Sequence, residues 1–167
     1  MSDSTDLVDR FRHGSSVLAA ALEGVSEAES NFSPAPGKWT IREIMRHLFD
    51  TEVVAAMRLR QMIAENKPTL AVFDQDVWAK EFGYGKYDPF ESLAQFRNLR
   101  ESNAALIAGL TPQGLDREGI HAERGILTVR DWVERFTAHV DSHARQIKKI
   151  REAWAAGRSP KSDPAHA

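Results

Sequence analysis

Apolar side chains recur at steps of three and four residues in four long stretches of this chain, the signature of amphipathic helices. The first stretch runs from about Thr5 to Val25 and carries Leu7, Phe11, Val17, Leu18, Ala21, Leu22 and Val25, with Gly24 as a natural stop. "SNFSPAPGKW" follows, and its two prolines and glycine read as an ordered loop. The second stretch opens at "TIRE", where Thr40 and Glu43 have the spacing of a capping box. Ile41, Ile44, Met45, Leu48, Phe49, Val53, Ala56, Leu59 and Ile63 form its apolar face, and Lys67-Pro68 ends it.

A connection of about twenty residues comes next, a length uncommon unless it covers or builds something. "PTLAVFDQDVWAKEFGYGKY" predicts one short helix, around Asp74–Lys80. The third long helix begins at "YDPFE", with Asp88 as N-cap and Pro89 at the first helical position. Phe90, Leu93, Phe96, Leu99, Leu106 and Ile107 carry its apolar side up to Gly109. The loop "TPQGLDREGIHAERGIL" then leads to a fourth helix capped by Thr128, with Asp131 in its first turn. Val129, Trp132, Val133, Phe136, Val140, Ile147, Ile150 and Trp154 face inward on it. "GILTV" favours strand, but it runs straight into the Thr128 cap, so no strand is expected.

The pattern therefore predicts an all-α fold: a four-helix bundle with long crossover connections, in one domain over residues 1–154. The tail 155–167, "AAGRSPKSDPAHA", is small, polar and proline-bearing, the composition of a disordered end. His166 falls there and is set aside.

Composition narrows the function. Acids and bases nearly balance at a net charge of −2, with no basic stripe for a nucleic-acid backbone. No apolar run approaches a membrane span, and the polar, acidic N-terminus has no secretory pattern, so a cytoplasmic protein is expected. The chain has no cysteine, which excludes disulfides, thiolate metal sites and cysteine nucleophiles. Histidines and carboxylates remain as strong metal ligands.

"FTAHVDSHARQI" places His139 and His143 four residues apart, neighbours on a helix surface that can reach one ion. The helical wheel sets His143 in the inward stripe and His139 at its edge. A third ligand must come from elsewhere, and His47, on the flank of the second helix's apolar face, is the best candidate. The spacing alone also fits two histidines at a core margin, bonded to carbonyls or water. His13 reads as part of a solvated face, and His121 as a surface-loop residue that could otherwise line a pocket mouth.

Two carboxylates are candidates for catalytic roles beside such a site. Asp50, one turn after His47, could accept a proton, although the wheel points it away from the apolar stripe towards solvent. Glu52 falls within the apolar face, where a carboxylate needs a partner: an arginine from another helix, or the free nitrogen of a ligand imidazole. Asp141 reads as exposed. Trp39, Trp78, Phe82 and Tyr84 could wall a pocket, and sealing the ends of the core is the preferred reading.

"GKWTIREIMRHLFDTE" and "HAERGILTVRDWVERFTAHVDSHARQI", together with "FDQDVWAKEFGY", resemble the DinB/YfiT-like superfamily over roughly Leu7 to Trp154. The resemblance implies an up-down-down-up four-helix bundle holding a divalent metal (zinc, nickel or iron) on His47, His139 and His143. It further implies a small-molecule substrate and is compatible with a homodimer. The activities it implies are thiol-dependent S-transfer, maleylpyruvate isomerase-like reactions and metal-dependent hydrolysis. A small-thiol S-transferase is the first expectation; because the chain lacks cysteine, it would need a low-molecular-weight thiol as co-substrate. A hydrolase that activates water at the ion is the alternative, and a non-catalytic stress or interaction protein keeping the bundle is a third.

Overall fold

Four helices carry the architecture: α1 (Asp3–Leu22), α3 (Ile41–Ala64), α5 (Pro89–Ala108) and α7 (Val129–Arg158). Shorter elements fill the connections: α2 (Glu27–Ser30), β1 (Thr69–Leu70), α4 (Gln75–Phe82), a 3-10 turn at Tyr84–Lys86, α6 (Pro112–Leu115), β2 (Glu118–His121) and β3 (Gly125–Thr128). These come from a computed structural model that describes residues 3–158. Most of the expected tail, 159–167, lies outside that range, and α7 continues past Trp154.

Local chemistry sets the helix starts. Thr40 accepts from the Glu43 N–H while the Glu43 carboxylate accepts from the Thr40 N–H at 2.8 Å, so the capping box is complete. Asp88 accepts from the N–H groups of Phe90 and Glu91, and Pro89 occupies the first turn. Asp74 caps α4 in the same way. At α7, Thr128 and Asp131 cap each other reciprocally.

Packing order explains the long connections. α3 lies against α5 and α7, and α1 lies against the same two helices. The consecutive helices α1 and α3 therefore face each other across the bundle diagonal, as do α5 and α7. The links between them must cross an end of the bundle, which a tight turn cannot do. Where α1 and α7 meet, Gly14 permits close approach: a Cβ there would stand 3.2 Å from Val140.

The core divides into two apolar clusters. One gathers Leu7, Phe11, Leu59, Met62, Trp132 and Val133; the other gathers Leu18, Ile44, Leu48, Phe96, Val140 and Ile147. Between them along the helices sit buried polar residues, Thr51 and Glu52 of α3 and Arg100 and Asn103 of α5. The inward face of α5 is thus more polar than its leucines suggest. Phe90 and Leu106, expected inside, are 48% and 38% exposed, and Val53 of α3 is 42% exposed. Arg100, Asn103 and Ala104 take the inward positions on α5 instead.

The expectation of no strands is corrected. β1 pairs parallel with β2, and β2 pairs antiparallel with β3, with Ile120 opposite Ile126 and His121 opposite Gly125. Strands of two to four residues are too short to show a period-two pattern. Their stability comes from pairing and from lying on the end of α3. Gly119 marks that contact, because a Cβ there would come within 2.9 Å of Met62 and 3.0 Å of Leu70. No helix among the described residues is long and apolar enough to cross a membrane.

Candidate metal centre

α3 and α7 pack side by side, and this brings His47 to the HVDSH pair. The Nε2 atoms of His139 and His143 are 3.1 Å apart, and that of His47 lies 3.4 Å from that of His139. One ligand nitrogen from each ring falls within 4.8 Å of the others. His47 is buried, and His139 and His143 are part-buried. Burial, reinforced by the other imidazoles, pushes His47 down to about 3. Burial, then His143, Arg100 and Arg135, pushes His139 down to about 4. Burial also lowers the pKa of His143, against the opposing influence of its hydrogen bond to Gln146. All three rings are neutral at neutral pH, the form that offers a lone pair to a metal.

The arrangement fits a cation. Nitrogens held about 2.0–2.1 Å from an ion at tetrahedral angles stand about 3.3 Å apart, and the His139–His143 and His47–His139 separations bracket that value. Hydrogen bonding within the cluster leaves one approach unmatched. His143 Nδ1 donates to Gln146 Oε1 at 2.9 Å, so the Nε2 of neutral His143 carries a lone pair. If His139 Nε2 bears a proton, that proton serves His143 and meets His47 unmatched; if it bears a lone pair, it opposes that of His143. One of the two approaches is always unsatisfied, whereas a cation matches all three nitrogens.

Neighbouring residues hold the rings in place. Gln146 fixes the tautomer of His143, and the Thr51 hydroxyl lies 3.4 Å from both ring nitrogens of His47. Trp39 packs its ring 4.9 Å from that of His47, and Tyr84 packs 6.3 Å from Trp39. Trp39 and Tyr84 thus back the cluster rather than only sealing the core, while Trp78 packs with Phe73 and with Phe82, itself 42% exposed. Neither Thr51 nor Gln146 was singled out from sequence. The available signal was helical spacing: Thr51 follows His47 by four residues and Gln146 follows His143 by three. Substituting Gln146 with leucine should weaken divalent-metal affinity by about 10–100-fold, as loss of a ligand-orienting partner typically does. Competition with a chromogenic chelator measures this; unchanged affinity would deny Gln146 that role.

The structure gives each of the two carboxylates a partner outside the cluster. Asp50 does not face solvent as the wheel suggested. It is 5% exposed, with its carboxylate 3.1 Å from Arg46, because the 3-10 turn packs over that side of α3. Burial raises its pKa against the opposing influence of Tyr84 and Arg46. Arg46 in turn lies over the rings of Tyr87 and Phe49. Glu52 has the arginine partner foreseen for it: Arg100 of α5 at 2.8 Å, with Asn103 donating to its other oxygen at 2.8 Å. Neither carboxylate lines the pocket that reaches His139.

That pocket, about 400 Å³, opens beside His139 and Thr51 and is walled by Phe73, Leu127, Trp132 and Phe136. His121 is part of it. It is the last residue of β2 and 8% exposed, so the surface-loop reading is corrected. Burial and the charges of Arg58 and Arg124 lower its pKa. Its Nδ1 accepts from the Glu123 N–H at 3.3 Å, which leaves the proton of the neutral ring on Nε2. His13 is exposed on α1, as expected, and Asp141 is half-buried.

Known proteins share this architecture. The solved structure of YfiT from Bacillus subtilis, described as having an unusual four-helix bundle topology, superposes with a TM-score of 0.85 at 22% identity. The match covers 93% of this chain and 90% of that one, and it shows the fold. In sequence, the Bacillus subtilis protein named "Putative metal-dependent hydrolase YfiT" is 25% identical over 141 residues, 83% of this chain and 79% of its own length. A similarly named protein of Oceanobacillus iheyensis is 28% identical over 121 residues, 71% of this chain and 69% of its own. The family model described as DinB superfamily matches residues 10–147, which include all three clustered histidines. The chain belongs to the DinB superfamily.

Proposed function

We propose that this chain is a metal-dependent hydrolase of small molecules, with His47, His139 and His143 holding a divalent ion beside the pocket. The observation that carries the reading is the convergence of three imidazole nitrogens within 4.8 Å of one another, two of the separations close to those a tetrahedral ion imposes. The names of the relatives support hydrolysis rather than thiol transfer. A divalent ion held by three neutral ligands keeps its full charge and supplies Lewis-acid chemistry, polarising a carbonyl or lowering the pKa of water.

The protein's own residues do the remaining work. Gln146 holds the ring of His143 in orientation, and the Thr51 hydroxyl packs beside the ring of His47. Trp132, Phe136 and Leu127 line the pocket with apolar surface that excludes water from a bound substrate. His121 offers its Nε2 proton as a donor from the pocket wall, suited to orienting a substrate oxygen.

The test uses protein purified without a metal-affinity tag. Near-stoichiometric divalent metal is expected, with hydrolysis of a panel of small esters and amides that chelation abolishes and metal restores. Hydrolysis at the same rate after complete metal removal would reject the role of the ion. A chain that binds no divalent metal would remove the basis of the proposal.

A further inference from the structure

The pocket wall carries more positive charge than its surroundings neutralise. Arg58 of α3 is only 7% exposed, yet no carboxylate among the described residues lies within ion-pair distance of it. Its Nε and Nη2 both donate to the Ala71 carbonyl, and Nη1 has no protein partner among those residues. Burial lowers the pKa of Arg58, and the charge of Glu123, in the same lining, offsets this only in part. Arg124, in the turn between β2 and β3, and Arg135, four residues before His139 on α7, line the same pocket. Both are exposed and neither forms an ion pair among the described residues. All three arginines, together with Glu123, act electrostatically on His121, which lines the same pocket. Glu123 is the single carboxylate in the lining.

Three arginines against one carboxylate in the lining leave an excess of positive charge that an oxyanion would balance. Arginine suits this role because its planar fork matches carboxylate and phosphate oxygens. The lining also holds Phe73, Leu127, Trp132 and Phe136, which suit an apolar body. We propose that the pocket is a substrate subsite for a small molecule with an apolar body and an oxyanionic end, held by Arg58, Arg124 and Arg135 while its hydrolysable bond faces the imidazole cluster. As a substrate subsite this rests on the hydrolase reading; as an anion site it stands on the arginines alone.

The experiment is calorimetric titration of the full chain with benzoate, with its neutral isostere benzamide, and with inorganic phosphate. Each is titrated into metal-loaded and chelated protein. Saturable binding of an anion is expected in both metal states, with benzamide at least tenfold weaker than benzoate. Tighter benzoate points to carboxylate substrates and tighter phosphate to phosphate esters. Arg58→Gln should weaken anion binding at least tenfold. Because Arg58 also supports the Ala71 carbonyl, the double variant Arg124→Gln/Arg135→Gln, altered only at exposed positions, serves as the second probe. It should weaken binding and flatten its salt dependence.

Equal affinity for benzoate and benzamide, or unchanged anion binding in both variants, would overturn the proposal. Binding seen only in metal-loaded protein would put the anion on the ion and overturn it too. Anion binding that survives chelation, in a protein that hydrolyses no substrate, would leave the subsite standing and reject the hydrolase reading.

Discussion

Replacing His139 with alanine is expected to lower divalent-metal affinity by more than the roughly 10–100-fold typical of losing an outer partner. His139 is the shared neighbour of the cluster: its Nε2 stands 3.1 Å from that of His143 and 3.4 Å from that of His47. Without it, two imidazoles from different helices remain, too few to hold a divalent ion tightly against water and chelator. Several kcal/mol of Lewis-acid stabilisation would be lost from the transition state, so hydrolysis should fall by about a thousandfold or more. Metal-free stability should change little, because the substitution also removes the unmatched approach within the cluster. Metal analysis, activity and thermal unfolding of metal-free protein check the three parts. Full metal content in the alanine variant would remove the centre from these residues.

Much of this site was legible because helices convert spacing into direction. A capping box at Thr40 and an aspartate-proline start at Asp88 announce themselves within four residues, and both were found where the sequence placed them. His139 and His143 share a helix face by spacing alone, and His47, on the flank of the second helix's apolar face, is the candidate that the family resemblance reinforces. What the sequence hid depends on packing partners distant in the chain. Asp50 lies on the polar side of a wheel, yet the 3-10 turn at Tyr84–Lys86 covers that side and buries it. His121 looks like a loop residue because a four-residue strand has no readable period, and its burial comes from pairing with β1 and β3. Phe90 and Leu106 mark an apolar face on α5 that Arg100 and Asn103 displace, since one buried carboxylate on α3 demands partners there. The arginines of the pocket come from α3, a hairpin turn and α7, and no local pattern links them.

The pair behind that last displacement carries the second large expectation. Arg100→Met should destabilise the fold by about 3–5 kcal/mol at neutral pH, because it strands the Glu52 carboxylate. Both side chains are 1% exposed, and Asn103 alone would remain to hold the charge. The guanidinium also lies 3.9 Å over the Phe11 ring and 4.7 Å over that of Phe96, contacts that methionine only partly replaces. The sign of the pH dependence follows from Glu52. Burial already raises its folded pKa above the ordinary 4.5, against Arg100 and Asn103, and losing Arg100 raises it further. The penalty is therefore full above that raised value and fades as pH falls towards 4.5, where the unfolded carboxylate also takes up its proton. Adding Glu52→Leu removes the stranded charge, leaving mainly the unsatisfied Asn103 amide, worth about 1–3 kcal/mol. Urea unfolding across pH separates these cases: a double variant no more stable than Arg100→Met would show that the loss comes from packing around the phenylalanines and not from a buried, unpaired charge.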